Sequence, residues 1–104
     1  LNARLKANGY RTVFAEDGMS ALSVARKEKP DLIILDLGLP AGDGFVVLKR
    51  LKANTELSVV PVVILSARDP HENEKRALDA GATAFFQKPA DNDKLLGAIA
   101  AALM

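Results

Sequence analysis

The chain has 104 residues, 49% of them hydrophobic and 26% charged, enough for one domain with a buried core. Fourteen basic and thirteen acidic residues leave a net charge of +1. The signs interleave at 26–29 and 74–76, which argues for solvated helix faces and against a nucleic-acid stripe. Without cysteine there is no disulfide, thiol catalysis or thiolate metal site, and the main apolar run, 59–65, is too short to span a bilayer. With no signal peptide either, the expectation is a cytoplasmic protein with no membrane and no direct nucleic-acid partner.

In chain order, Leu1 and Leu5 share a face of a first helix over 1–7, stopped by Asn8-Gly9. Residues 11–15, with Val13 and Phe14, read as a strand, and Glu16-Asp17-Gly18 as a turn. Met19 to Lys29 is an amphipathic helix with Ala21, Leu22 and Ala25 inward, ended by Pro30. Leu32-Ile33-Ile34-Leu35 has no polar alternation and reads as a strand buried on both faces, with Asp36 directly after it. Pro40 and the glycines keep the following loop from becoming helix.

A helix from Asp43 or Gly44 places Phe45, Val46, Leu48 and Leu51 inward and Lys49, Arg50 and Lys52 outward, and it ends at 54–56. Val62 to Leu65 is the next buried strand, entered through Pro61 and followed by Ser66. Asp69 caps a helix with Pro70 at its first position; it runs to Ala80 and is closed by Gly81. Thr83 to Phe86 is a further strand, followed by Gln87-Lys88-Pro89, with Phe85 and Phe86 on opposite faces. Asp91 caps a last helix whose Leu95, Leu96, Ile99 and Ala100 face the core. Alternation at this pitch predicts a parallel sheet with helices on both faces.

Three polar groups leave successive strands: Asp36, Ser66 thirty residues later, and Lys88 after another twenty-two. If the strands are parallel neighbours, these groups meet at the carboxyl edge, where α/β sheets bind ligands. A carboxylate, a hydroxyl and an ammonium around one point suit a phosphoryl group, with the carboxylate as nucleophile and the other two neutralising phosphoryl oxygens. The plainer roles are an Asp36–Lys88 ion pair and a Ser66 hydroxyl bonded to local backbone. Gly42-Asp43-Gly44 is not a dinucleotide fingerprint, because position 47 is Val. His71, the single histidine, falls on the exposed first turn of a helix, with no second ligand at metal spacing.

The stretches DLIILDLGLPAGDGF, VPVVILSARD and GATAFFQKPAD resemble, in order and spacing, the receiver domain of two-component response regulators, and the likeness runs from Leu1 to about Leu103. The resemblance implies a flavodoxin-like doubly wound sheet of strand order 2-1-3-4-5, and a single receiver domain over 1–104 that lacks the family's first strand. It implies that Asp36 is the phosphoacceptor, Ser66 the switch hydroxyl, Lys88 the phosphate contact before a cis Pro89, and Phe85 the rotating aromatic. It gives Gly38 a backbone carbonyl that binds Mg²⁺ beside Asp36, and Arg68 a position that either meets the phosphoryl charge or is solvated. The donor would be a histidine kinase or phosphotransfer protein. Such a domain is no conventional enzyme; at most it assists its own aspartyl phosphorylation and dephosphorylation.

In the family an acidic pair at the end of the first strand completes the Mg²⁺ site; by spacing it would precede Leu1, and the nearest acids, Glu16 and Asp17, follow the second strand, where the family uses no ligands. Without that strand the sheet would be incomplete, rearranged, or completed by a partner chain, with a homodimer through the open sheet or the last two helices. Two other readings stand beside the phosphorelay: a receiver-like module that is not phosphorylated and serves interaction or self-assembly, and an unrelated flavodoxin-like phosphate or nucleotide binder.

Overall fold

The computed structural model describes residues 2–15, 18–36, 44–66, 70–88 and 91–103. Five helices and three strands alternate along them: α1 (Asn2–Ala7), α2 (Gly18–Glu28), β1 (Ile33–Asp36), α3 (Gly44–Ala53), β2 (Val62–Ser66), α4 (Pro70–Asp79), β3 (Ala84–Gln87) and α5 (Asn92–Ala102). The strands are parallel in the order β1-β2-β3, with Ile33 opposite Val62 and Val63 opposite Ala84.

Strand alternation divides the core into two layers. Ile33, Leu35, Val62, Ile64 and Phe85 face α2, α3 and α4, meeting Ala25, Leu48, Leu51 and Ala77. Ile34, Val63, Leu65, Ala84 and Phe86 face α1 and α5, meeting Leu5, Leu95 and Ile99. The two phenylalanines thus lie on opposite faces. Burial is deepest in β2, where Val62, Val63 and Ile64 are at 0% and Leu65 is half-buried.

Several expectations need correction. Residues 11–15 join no ladder, and Val13 and Phe14 are exposed. Extended backbone becomes a strand only where a neighbour takes its N–H and C=O groups, and β1 pairs only with β2 among the described residues. For the same reason β1 is not buried on both faces: Leu35 is buried, while Ile33 and Ile34 are half-buried. In α3 the inward residue is Val47, not Val46, because the turns from Gly44 place 44, 47, 48 and 51 on one side. In α5 Leu95 and Ile99 are buried, but Ala100 is exposed. Lys29 takes a left-handed φ of 49° directly before Pro30, where the helical conformation is disfavoured.

The expected stops at Gly81 and Asp91 are present. Gly81 has φ 107°, and the Asp91 carboxylate accepts from the backbone N–H groups of Asp93 (2.9 Å) and Lys94 (3.2 Å). The proposed cap Asp69 lies outside the described residues. Lys52, expected outside, is half-buried. Its ammonium donates to the carbonyls of Val60 (3.0 Å) and Ser58 (3.3 Å), so it ties the end of α3 to the segment that leads into β2. Burial lowers the Lys52 pKa from its ordinary 10.5. No described helix is long and apolar enough to cross a membrane.

A Cβ on Gly81 would stand 3.0 Å from Lys52 Cγ at a φ that L-residues avoid. Gly81→Ala should therefore cost about 1–3 kcal/mol in urea unfolding. Gly97, inside α5 with nothing within 4 Å of its would-be Cβ, should give the opposite sign, a gain of about 0.5–1 kcal/mol as Gly97→Ala. Between the lowered Lys52 pKa and 10.5 the unfolded chain binds more protons than the folded one, so stability gains with pH there. Relative to Lys52→Met, the wild-type unfolding free energy should rise as pH climbs through that window; a flat difference would contradict the burial of this ammonium.

Candidate functional site at the carboxyl edge of the sheet

The parallel registers bring the ends of three distant stretches to one edge. Asp36 closes β1 opposite Leu65, and Ser66 closes β2 opposite Gln87. The Lys88 N–H donates to the Ser66 carbonyl (2.8 Å), which carries the β2–β3 pairing one residue beyond the strand. Continuing the alternation, Asp36 falls on the face of Ile34, and Lys88 on the face of Phe86. These faces are the same, and there the Lys88 ammonium donates to a carboxylate oxygen of Asp36. Ser66 and Phe85 fall on the other face, with Ile64.

Exposure separates the three groups. The Lys88 and Asp36 side chains are 44% and 36% exposed, so the pair is partly hydrated and reachable from solvent. Ser66 is 1% exposed, and no buried side-chain nitrogen or oxygen among the described residues lacks a hydrogen-bond partner. A strand ending at Leu65 would have left Ser66 in a loop. The observed β2 extends through Ser66, a consequence of its pairing with Gln87 that one strand's sequence does not show. Phe85 is half-buried against the α2–α4 layer.

Gly38, Arg68, Pro89, Glu16 and Asp17 lie outside the described residues. His71 lies in the first turn of α4. Asp36 offers hard carboxylate oxygen, the donor type Mg²⁺ takes, on a side chain that solvent reaches. The described residues contain no group of three His, Cys, Asp or Glu side chains that could hold a metal, so among them Asp36 could supply one coordination position and not a full set.

The response regulator receiver domain family matches residues 1–100, and the chain belongs to that family. It is 33% identical over 103 residues to the protein PilH of Pseudomonas aeruginosa, covering 99% of this chain and 85% of PilH. It is 36% identical over 99 residues to the response regulator PleD of Caulobacter vibrioides, covering 95% of this chain but 22% of PleD. Among solved structures, the receiver domain of the sensor histidine kinase PA1611 from Pseudomonas aeruginosa, crystallised with magnesium in its active-site cleft, superposes with a TM-score of 0.87 at 26% identity, covering 98% of this chain and 84% of that one. The three described strands and five helices are those of the flavodoxin-like receiver fold.

An exposed ion pair adds little to folding, typically about 0–1 kcal/mol. Lys88→Ala should therefore shift the urea midpoint only slightly, whereas Leu48→Ala, at a fully buried position, should cost about 2–5 kcal/mol. A large loss from Lys88→Ala would mean that the pair holds the edge together instead of serving a ligand.

Proposed function

We propose that the chain receives a phosphoryl group on Asp36 from a histidine kinase or phosphotransfer protein in the cytoplasm, and that the modification alters a protein-binding surface. The observation that carries this reading is the Asp36–Lys88 contact at the solvent-accessible carboxyl edge, with Ser66 closing the strand between them. A carboxylate oxygen of Asp36 attacks phosphorus as the phosphorus–nitrogen bond to the donor imidazole breaks, and the bonding pair stays on that nitrogen. Lys88 then exchanges the carboxylate for the phosphoryl oxygens, staying paired to negative charge throughout. Asp36, with the Gly38 carbonyl, would hold Mg²⁺, which supplies further neutralisation of the phosphoryl group when bound.

Ser66 gives the switch its cost and its consequence. Its side chain is buried, so bonding a phosphoryl oxygen requires it to turn out toward Asp36. That movement opens space on the face it shares with Phe85, and Phe85, lacking a hydroxyl, can respond only by repacking. The change is then read on the surface around α4, β3 and α5 as a shift between two packings.

Intact-protein mass spectrometry after incubation with a small phosphodonor and Mg²⁺ tests the reading. One phosphoryl adduct is expected on the wild-type chain and none on Asp36→Asn. Lys88→Ala should slow adduct formation by about a hundredfold. Ser66→Ala should still accept the group but lose the accompanying change at α4 and α5. An adduct that survives Asp36→Asn, or none on the wild type, would leave an interaction module that works without phosphorylation.

A further inference from the structure

A groove of about 490 Å³ lies between α3 and α4, lined by Phe45, Lys49, Lys52, Ala53, Arg76 and Ala80, with none of Asp36, Ser66 and Lys88 among its described lining. Among the six described residues that line it, three are cations and none is an acid. A second groove, beside Pro30, differs in kind: its charges among the described residues, Arg26, Lys29 and Glu56, are of mixed sign. The positive groove is a local concentration, since the whole chain carries only +1. Its source is visible in the sequence of α3, where Lys49, Arg50 and Lys52 occur without one carboxylate.

Two of the three cations are held in place. The Arg76 guanidinium stacks on the Phe45 ring, 3.8 Å from its centroid. Stacking uses the flat face of the guanidinium and leaves its N–H edge free to donate. The Lys52 ammonium spends two of its three donors on the carbonyls of Ser58 and Val60, and its stem lies against Gly81. Neither Lys49, Lys52 nor Arg76 forms an ion pair with a described residue. Fixed cations lose little side-chain freedom when an anion arrives. An anion would also offset the burial that makes Lys52 a reluctant ammonium. Ala53 and Ala80 add small apolar side chains to the same lining, and the groove's volume has room for a further side chain.

We propose that the α3–α4 groove docks a short acidic peptide segment of a partner protein, its carboxylates on Lys49, Lys52 and Arg76 and one apolar side chain between Ala53 and Ala80. A site with cations from both helices and alanines in the same lining suits an acidic-apolar peptide better than a compact anion, which has no use for the apolar residues. The site is separate from Asp36 and does not depend on its phosphorylation.

Amide NMR titration of the full chain tests the assignment, using a peptide of one leucine flanked by glutamates and aspartates, the same peptide with lysines for its acids, inorganic phosphate, and a short DNA duplex. The acidic peptide should shift resonances of α3 and α4, with an affinity that falls as salt rises. Lys49→Glu and Arg76→Glu should each weaken it by about tenfold or more, while Arg50→Glu, on the same helix but outside the groove lining, should change it little. If a reversed charge unfolds the chain, Lys49→Ala and Arg76→Gln serve instead and should weaken binding in the same order. Absence of shifts at α3 and α4, equal binding by the variants, or stronger binding of phosphate or duplex at the same residues would overturn the proposal.

Discussion

The carboxyl edge depends on the burial of β2 on both faces and its parallel register with β1 and β3. Val62, Val63 and Ile64 alternate between the two helical layers. A slip of one residue would send each side chain to the wrong layer and move Ser66 away from Gln87. This hydrophobic constraint, paid by residues with no chemistry of their own, sets Asp36 and Lys88, 52 positions apart in the chain, in contact.

That division of labour explains why the edge can be polar, partly hydrated and still specific in geometry. An exposed ion pair holds little together, but it need not, because the strands beneath are held by core packing. Ser66 sits at the boundary between the two regimes: it belongs to the buried strand by position and to the edge by chemistry. A group so placed resists casual movement, and any ligand at Asp36 that recruits its hydroxyl must disturb the packing around Phe85. The α3–α4 groove has a different origin, in the outward turns of α3 and in the stacking of Arg76 on Phe45, and so offers a contact surface that the edge does not control.

Much of this was legible in the sequence because the signals were redundant. Three short apolar runs, each followed by a polar residue at βα spacing, gave the strand positions within one residue, and Gly81 and Asp91 gave two helix boundaries. What failed was whatever depends on a neighbour. Residues 11–15 carry the composition of a strand but join no ladder. Ile33 and Ile34 look fully buried by composition but flank the pairing edge of β1 that faces away from β2. Lys52 reads as a surface lysine until the carbonyls of Ser58 and Val60 are brought beneath it. Arg76 gives no hint of Phe45, thirty-one positions earlier in the chain. The Asp36–Lys88 meeting was inferable only by assuming parallel neighbours, which the register now supplies.

Phosphorylation at Asp36 would leave an acyl phosphate whose position in the chain can be read chemically. Borohydride reduces an aspartyl phosphate to the corresponding alcohol, which leaves homoserine in the chain. Peptide mass spectrometry after phosphodonor treatment and borohydride should find homoserine at position 36 and at no other acidic position. Homoserine elsewhere, or none at position 36 under conditions that phosphorylate another receiver domain, would contradict Asp36 as the phosphoacceptor.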